Sequence, residues 1–444
     1  MLSEKPYRIG NRRELFLDDF LTSTVSGDVA LRQHFPQAMP VSATQPTGSY
    51  MTMLQEEGLI RCYYRGLKPD YTGEQIDGHP GEYTGYAESS DGIVWTMPEL
   101  NLFPNAPANA IWDGTKETHN FCPFIDRNPA CRDGERYKTV AGIIQGGGLF
   151  RFFSADGIHW QKYDEKPFLA LQDGQYGLDS QNVCFWSEFE QCYVLFFRLW
   201  INQDGEASSS LDWGAIRRGV ARVTSPDFVH WSEPRVLKLN RPGEHLYVSQ
   251  LAPYARAPHI YIGMPTRFFE ERGAATDLSF FHVRNGMEVI RTFPGAWITP
   301  GLDPARWGNR SNYLAYNIVQ TSPTELSLYH IKSRVRYTLR LDGFASLHAD
   351  VAGGEWLSRP LEYQRGQLEI NLGTSAGGAF QAGLLAEDGT ALPGFGVDDC
   401  ELFFGDALDY APRWRGGTLP LRPGDVFRLC FRMTECDVYS FAFK

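Results

Sequence analysis

Ser89-Ser90-Asp91-Gly92-Ile93-Val94-Trp95, Ser154-Ala155-Asp156-Gly157-Ile158-His159-Trp160 and Ser225-Pro226-Asp227-Phe228-Val229-His230-Trp231 are three copies of one pattern. The tryptophans are 65 and 71 residues apart, and a degenerate fourth copy begins at Arg284. Self-similarity at such a period indicates a repeat architecture. Aromatic and β-branched runs flank each copy, which predicts a turn that joins two strands and returns the Trp to the core. A unit of about 65 residues with three or four short strands is typical of one β-propeller blade.

The turns mark the blade boundaries. Apolar runs of five to eight residues recur between Gly, Pro, Asp and Asn, and helix-period patterns are nearly absent. The strand candidate at residues 14–17 is expected to complete the last blade. The sequence therefore predicts a five-bladed β-propeller over residues 1–332, with blades near 47–100, 117–170, 179–238, 245–300 and 310–332.

The pattern changes after about residue 333. Residues 367–372 and 427–433 alternate strictly between polar and apolar side chains. Strict alternation predicts strands with one buried and one solvated face, as in an antiparallel sandwich. Residues 333–444 are therefore predicted to form a jelly-roll-like β-sandwich, and the fold class is all-β.

Composition narrows the class of protein. The chain has 444 residues, a net charge of −11 and 14% aromatic residues, and an acidic surface disfavours nucleic acid or an anionic membrane as a partner. No apolar run reaches the roughly 18 residues that cross a bilayer, and the N-terminus lacks the apolar core of a signal peptide. The eight cysteines form no CxxC pair, which favours reduced core thiols. We expect a soluble, cytoplasmic protein, with its oligomeric state left open.

A five-bladed propeller with Ser-x-Asp-Gly-x-x-Trp turns and a following β-sandwich resembles the furanosidase superfamily, which includes glycoside hydrolase families 32, 43, 62 and 68. The chain also looks like a set of uncharacterised bacterial proteins described as family-32-like glycosidases. The segments that carry this likeness are Leu-Phe-Leu-Asp-Asp at 15–19, Tyr-Tyr-Arg-Gly at 63–66, Asp-Ser-Gln-Asn at 179–182 and Leu-Asp-Gly-Phe at 341–344. The resemblance implies a glycosidase.

The repeat turn itself is predicted to be structural. It is one residue shorter than the Asp-box of sialidases, because Gly92 directly follows Asp91 and Gly157 directly follows Asp156. The turn therefore favours a furanosidase-like glycosidase over a sialidase, and these two aspartates are poor catalytic candidates.

The resemblance places the catalytic acids at the blade openings. Glycoside hydrolysis needs one carboxylic acid to protonate the leaving oxygen and a second carboxylate as nucleophile or base. Asp179 opens blade three, Glu117 opens blade two at the position of the stabilising carboxylate, and Glu244 opens blade four. These three form the predicted catalytic set. The alternatives are an Asx-turn cap for Asp179 and loop carboxylates for the two glutamates.

Blade one departs from the family pattern. No Asp or Glu occurs between Asp28 and Glu56, and the Arg-Asp-Pro and Glu-Cys motifs of the fructosidases are absent. The polar insertion at residues 70–79 is long enough to fold over the funnel and supply an acid. This departure leaves fructan specificity and the assignment of roles open.

Polar, cationic and aromatic residues near the blade openings are the predicted substrate contacts. Guanidinium groups bind vicinal hydroxyls or a carboxylate, and indole rings stack on a sugar face; buried ion pairs and core packing are the alternatives. Some relatives hold a central cation, but the histidines here lack ligand spacing, so neither a metal nor a cofactor is expected. The predicted contacts are Arg65, His119, Asn120, Gln181, Asn182, Arg267, Trp307 and Arg310.

The leading hypothesis is a glycoside hydrolase that releases a terminal furanosidic sugar, a fructofuranose or arabinofuranose, from an oligosaccharide or glycoside. An inverting glycoside phosphorylase is the second hypothesis, because the arginines at the blade edges suit phosphate. A non-catalytic carbohydrate-binding propeller is the third, because blade one lacks its acid. Anomer, linkage and ring form are left open.

Overall fold

The computed structural model describes residues 5–74, 77–113, 116–172, 174–210, 212–286 and 288–444. Within them there is no α-helix, so the all-β prediction is confirmed, and no helix is long and apolar enough to cross a membrane. Two compact units are present: Pro36–Thr338, and Met1–Phe35 together with Leu339–Lys444. Short 3₁₀ turns occur at Lys116–Asn120, Ile144–Gly146, Glu270–Arg272, Pro304–Arg306 and Val397–Asp399.

In the described part of the first unit, five four-stranded antiparallel sheets follow one another along the chain. We name them sheets I to V. Sheet I contains Ser49–Glu56, Leu59–Leu67, Glu82–Ser89 and Ala110–Asp113, and sheet II contains Cys122–Ile125, Tyr137–Ile143, Gly148–Ser154 and Gln161–Lys162. Sheet III contains Val183–Ser187, Cys192–Ile201, Arg217–Ser225 and Arg235–Leu237, and sheet IV contains Ala252–Tyr254, Ala257–Gly263, Phe281–Arg284 and Val289–Ile290. Sheet V contains Val319–Ser322, Glu325–Tyr329, Arg336–Arg340 and Gln37–Ala38, and a smaller sheet contains His245–Leu246, Thr266–Phe269 and Ala275–Leu278.

The first strands of sheets I, II and III contact one another in order, and the first strand of sheet V contacts that of sheet I. A parallel bridge joins Thr52 in sheet I to Tyr316, just before sheet V. The sheets thus occur in the order of the predicted blades, but the strands Ala110–Asp113 and Arg336–Arg340 lie beyond the predicted bounds 47–100 and 310–332. Closure into a five-bladed ring stays a prediction.

The strand that completes sheet V differs from the predicted one. Gln37–Ala38 pairs with Tyr337 and Thr338, whereas Glu14–Leu15 pairs with Phe441 and Ser440 in the other unit. The reason is burial: Leu15, Phe16 and Leu17 are all buried, and three consecutive apolar side chains need cover on both faces. An outermost strand is half-exposed and does not provide that cover.

The second unit is one eight-stranded sheet system around Val426–Phe443, which pairs with Ala345–Ser358 and with Leu368–Ala386. Its core includes Trp356, Phe380 and Phe431, each fully buried. Thr22–Gln33 pairs with Ala345–Ser358, so this stretch lies with the C-terminal strands and not in the predicted propeller domain 1–332. The remaining strands are Tyr7–Arg8, Glu14–Leu15, Leu361–Glu362 and Asp406–Tyr410.

The repeat turns link the third strand of a sheet to its outer edge. The Asp91 carboxylate accepts the backbone N–H groups of Ile93 and Val94 at 2.7 and 2.9 Å, and Asp156 and Asp227 do the same in their own turns. The carboxylate charge is satisfied within the turn, so the structural role predicted for these aspartates is confirmed.

Candidate active site

Two cavities adjoin the first strands of the sheets. The larger, about 490 Å³, lies where these strands end and is lined by residues such as Met53, Phe124 and Trp186, with Glu188 as its single carboxylate. The smaller, about 210 Å³, lies at the start of the first strand of sheet I. Two of its lining residues contact carboxylates, since Tyr50 bonds to Asp179 and Arg310 to Asp77. Because glycoside chemistry needs two acids, the smaller cavity is the better candidate. Its lining is Ser49, Tyr50, Arg65, Leu67, Arg310, Tyr313, Ile331 and Lys332. We call it the funnel cavity.

Backbone conformation marks this region. Tyr50, Leu178 and Arg310 have φ values of 48°, 64° and 57°, a left-handed conformation that is uncommon for residues other than glycine. At Tyr50 the pairing register of sheet I also shifts, between Ser49 and Thr52, which is the geometry of a bulge that redirects a side chain. Such outliers concentrate at functional sites.

Asp179 is held beside the cavity by two neighbours. Its carboxylate oxygens lie 3.3 and 3.4 Å from Arg198 Nη1, and its backbone carbonyl accepts the Tyr50 hydroxyl at 3.0 Å. Arg198 also donates to the carbonyl of Tyr247. The Asp179 side chain remains 20% exposed, so the carboxylate is fixed in position but accessible.

Asp77 comes from the polar insertion at residues 70–79, whose residues 75 and 76 lie outside the described part. Both of its carboxylate oxygens accept from the Arg310 guanidinium, at 3.2 and 3.1 Å, and Arg65 Nη1 lies 3.7 Å away. Burial raises the pKa of Asp77, but the charges of Arg310, His119 and Arg65 and the hydrogen bond from Arg310 together outweigh it, and the pKa is lowered. The side chain is 27% exposed. The insertion thus brings an ionised carboxylate to the site, in the sheet whose opening lacks one.

Behind these groups lies a buried network of Glu82, His119 and Arg65. Glu82 Oε1 is 3.0 Å from His119 Nδ1 and 3.2 Å from Arg65 Nη1, and the Arg65 guanidinium stacks over the Tyr50 ring at 4.8 Å. The donor atoms of Asp77, Glu82 and His119 lie within 4.8 Å of one another, as in a metal site. The Arg65 guanidinium already supplies a positive charge among them.

The structure does not bring Glu117 and Glu244 to the funnel cavity. Glu117 accepts from Lys162 Nζ of sheet II at 2.6 Å. Glu244 forms a two-pronged ion pair with Arg291, at 2.7 and 3.1 Å. Both side chains are buried in these pairs, so Glu117 is not the solvated loop carboxylate that was the alternative to a catalytic role.

Three further predicted contacts are buried hydrogen-bonding residues of the scaffold. Asn120 Nδ2 donates to the carbonyls of Leu178 and Ser180 at 2.8 and 2.9 Å. Asn182 Nδ2 donates to the Leu178 carbonyl at 3.1 Å, and Gln181 Nε2 donates to the Met51 carbonyl at 3.0 Å. These amides fix the loop that carries Asp179 and are not free to contact a ligand.

Arg65, His119 and Arg310 are brought together as predicted, whereas Arg267 and Trp307 lie apart from the lining. Arg267 forms two 2.7 Å hydrogen bonds with Asp277 in the small sheet. Trp307 is 57% exposed, and its indole N–H donates to the Gly301 carbonyl.

Several site residues escaped the predicted set. Glu82 begins the buried strand Glu82–Ser89, where a carboxylate needs a partner; the strand's mixed sequence does not mark it. The sequence does not mark Tyr50 or Lys332 as unusual, since each is an ordinary residue beside an apolar run. For Asp77, the sequence predicts only that some acid of the insertion at residues 70–79 reaches the site.

No protein-family model and no curated protein matches the chain. Among solved structures, it is similar to a glycoside hydrolase family 43 arabinoxylan arabinofuranohydrolase from Bacillus subtilis, at 12% identity and a TM-score of 0.45, over 90% of this chain and 96% of that one. It is also similar to a putative glycosidase from Bacteroides thetaiotaomicron, at 14% identity and a TM-score of 0.43, over 74% and 95% of the two chains. A β-1,2-mannobiose phosphorylase from Listeria innocua matches at 11% identity and a TM-score of 0.45, over 70% and 96%. At TM-scores below 0.5 these likenesses carry no argument about activity.

Proposed function

We propose that the chain is a glycosidase whose catalytic carboxylates are Asp77 and Asp179. The observation that carries the proposal is the presence of two accessible carboxylates beside one small cavity. Each is held by an arginine and comes from a different part of the chain. Two carboxyl groups on either side of a glycosidic bond are the minimum machinery for its hydrolysis.

The environment of Asp77 assigns the roles. Its lowered pKa keeps it ionised at neutral pH, so it acts as the nucleophile or as the base that activates water. Asp179 is then the proton donor to the leaving oxygen. Arg198, 3.3 Å from the Asp179 carboxylate, holds it in position.

The substrate is a terminal sugar. The funnel cavity, about 210 Å³, is a pocket for one sugar ring and not a cleft for a polymer. The furanosidic ring form, fructofuranose or arabinofuranose, completes the proposal and rests on the family resemblance of the sequence.

The test is Asp179→Asn, assayed on aryl furanosides and on the corresponding pyranosides. We expect kcat to fall by about 10²–10⁴, the usual contribution of a positioned acid, with the melting temperature retained. Glu190→Gln is the matched control, because Glu190 is also a part-buried acid paired with an arginine, at 18% exposure, but lies in the hairpin turn of sheet III. Retention of most of the wild-type rate in Asp179→Asn would remove Asp179 from the mechanism.

A further inference from the structure

The funnel cavity is rich in positive charge. Arg65, Arg310 and Lys332 are three of the eight residues that line it, in a chain whose net charge is −11. Asp77 pairs with Arg310 and lies close to Arg65, and Glu82 pairs with Arg65. The negative charges of these two acids offset the positive charges of the two arginines, and the charge of Lys332 is not offset.

Lys332 has no carboxylate partner among the residues that the structure describes. Its side chain is exposed at the cavity. Partial burial lowers its pKa, and the charges of Arg310 and Arg65 lower it further. An anion in the cavity would relieve this repulsion between like charges.

Among the residues that the structure describes, Arg218 is a second cation without a carboxylate partner. The Arg218 guanidinium stacks over the rings of Trp200, Tyr247 and Phe268 at 4.5, 4.8 and 4.9 Å. Its Nε is buried without a hydrogen-bond partner. Burial and the neighbouring Arg198 lower the pKa of Arg218. Arg218 stacks on Tyr247, whose carbonyl accepts from the Arg198 that holds Asp179, so it adds a positive charge to this region.

We infer that the Lys332 side of the funnel cavity is an oxyanion subsite, which takes either the carboxylate of an acidic sugar or inorganic phosphate. The inference rests on the proposed function, because it places this group beside Asp77 and Asp179. Both ligands are planar or tetrahedral oxyanions that accept charge-assisted hydrogen bonds from guanidinium and ammonium groups. A neutral fructofuranoside or arabinofuranoside offers no charge to match Lys332, so phosphate would accompany such a substrate, whereas a carboxylate ligand requires an acidic sugar in its place.

The two possible oxyanions, a sugar carboxylate and inorganic phosphate, imply different reactions. With an acidic sugar, the subsite binds the substrate carboxylate and water still attacks. With phosphate, a phosphate oxygen forms the bond to the anomeric carbon while the glycosidic C–O bond breaks. Asp179 protonates the departing oxygen, and the products are a sugar phosphate and the shortened glycoside.

The first experiment measures binding without turnover. Inorganic phosphate, D-glucuronate and neutral D-glucose are titrated calorimetrically into the wild-type protein, Lys332→Met and the control Lys238→Met, which removes an exposed lysine outside the cavity. We expect one of the two anions, and not glucose, to bind, with Kd raised about tenfold or more in Lys332→Met and unchanged in the control. Absence of anion binding, or binding that Lys332→Met leaves unchanged, would overturn the inference.

The second experiment separates the sources. If turnover requires added phosphate and yields a sugar phosphate, the ligand is phosphate. If aryl uronides are cleaved in preference to neutral glycosides without phosphate, and Lys332→Met abolishes that preference, the ligand is a carboxylate. Asp179→Asn should keep the anion affinity while losing turnover. If that variant retains both turnover and anion binding, the catalytic role of Asp179 is wrong and the oxyanion subsite is still supported.

Discussion

The carboxylates of the repeat turns and those of the funnel cavity satisfy their charge in different ways. Asp156 accepts the backbone N–H groups of Ile158 and His159, two and three residues along the same turn. Asp77 accepts instead from Arg310, which is 233 residues away in the sequence. In both places the pKa of the aspartate is lowered against the opposing effect of burial.

A lowered pKa alone therefore does not mark a catalytic acid. A carboxylate satisfied by its own turn has no remaining function beyond the turn. A carboxylate held by a distant arginine at a cavity is preorganised, because the fold must assemble completely before the charge is offset. Substitutions in the two regions should show whether this difference distinguishes a catalytic carboxylate from a structural one.

The largest expected effect is on catalysis. Asp77→Asn should lower kcat by about 10²–10⁴ because it removes the ionised nucleophile or base. Asp156→Asn should leave kcat within about twofold of the wild-type value. Steady-state kinetics on the same glycoside check both variants, and comparable losses in the two would erase the distinction between the regions.

A smaller effect is expected on stability, from the buried network behind the cavity. Glu82→Gln leaves Arg65 and His119 without their buried carboxylate and should reduce the free energy of unfolding by about 3 kcal/mol. Urea denaturation measures this change. A loss no larger than that of Asp156→Ala would show that the network is dispensable for the fold.

The repeat turns should contribute less to the free energy of unfolding than the buried network of Glu82. Asp156→Ala removes the acceptor of two backbone N–H groups in a partly exposed turn, and should cost about 1–2 kcal/mol. The parallel substitution Asp227→Ala should cost a similar amount, because the Asp227 carboxylate makes the same contacts at 2.8 Å. Thermal unfolding of the single and double variants checks whether the two costs add, as distant sites should.

A pH dependence also distinguishes the two regions. Burial, and then Arg218, Arg217 and Arg198, lower the pKa of His245 to about 3 from 6.5. Its stabilising contribution is therefore present above pH 6.5 and declines as the pH falls toward 3. The turn carboxylates have pKa values below 3.8, so their contribution declines only below about pH 4.

Melting temperatures from pH 7 to 2 check this order. His245→Gln should flatten the part of the profile between pH 6.5 and 4, and Asp156→Asn the part below pH 4. A wild-type profile that is flat down to pH 4 would contradict the neutral, buried state of His245.

Local signals in the sequence predict the repeat and most of the strands. The Ser-x-Asp turns depend only on residues within the same seven-residue stretch, so their structure and role could be derived from it. The site could be predicted only where a local feature marked it, as with Asp179 at an aromatic strand and the polar insertion that carries Asp77. The partners of Glu117 and Glu244 could not be predicted, because Lys162 and Arg291 are 45 and 47 residues away. No spacing rule links such pairs.

The same limit explains the domain boundary. The strand Thr22–Gln33 has an alternating pattern that fits an outer blade strand as well as a sandwich edge. Its partner in the structure begins at Ala345, paired with Gln33, and the sequence offers no local reason to connect them.

That pairing has a consequence for synthesis on the ribosome. The unit Pro36–Thr338 interrupts the other unit, so Thr22–Gln33 leaves the exit tunnel 312 residues before the strand that must cover it. Domains generally fold as units during synthesis, and the unit Pro36–Thr338 is complete while this strand still has an open edge. The early strand is polar and largely exposed on its burial pattern, which limits its tendency to aggregate during the wait.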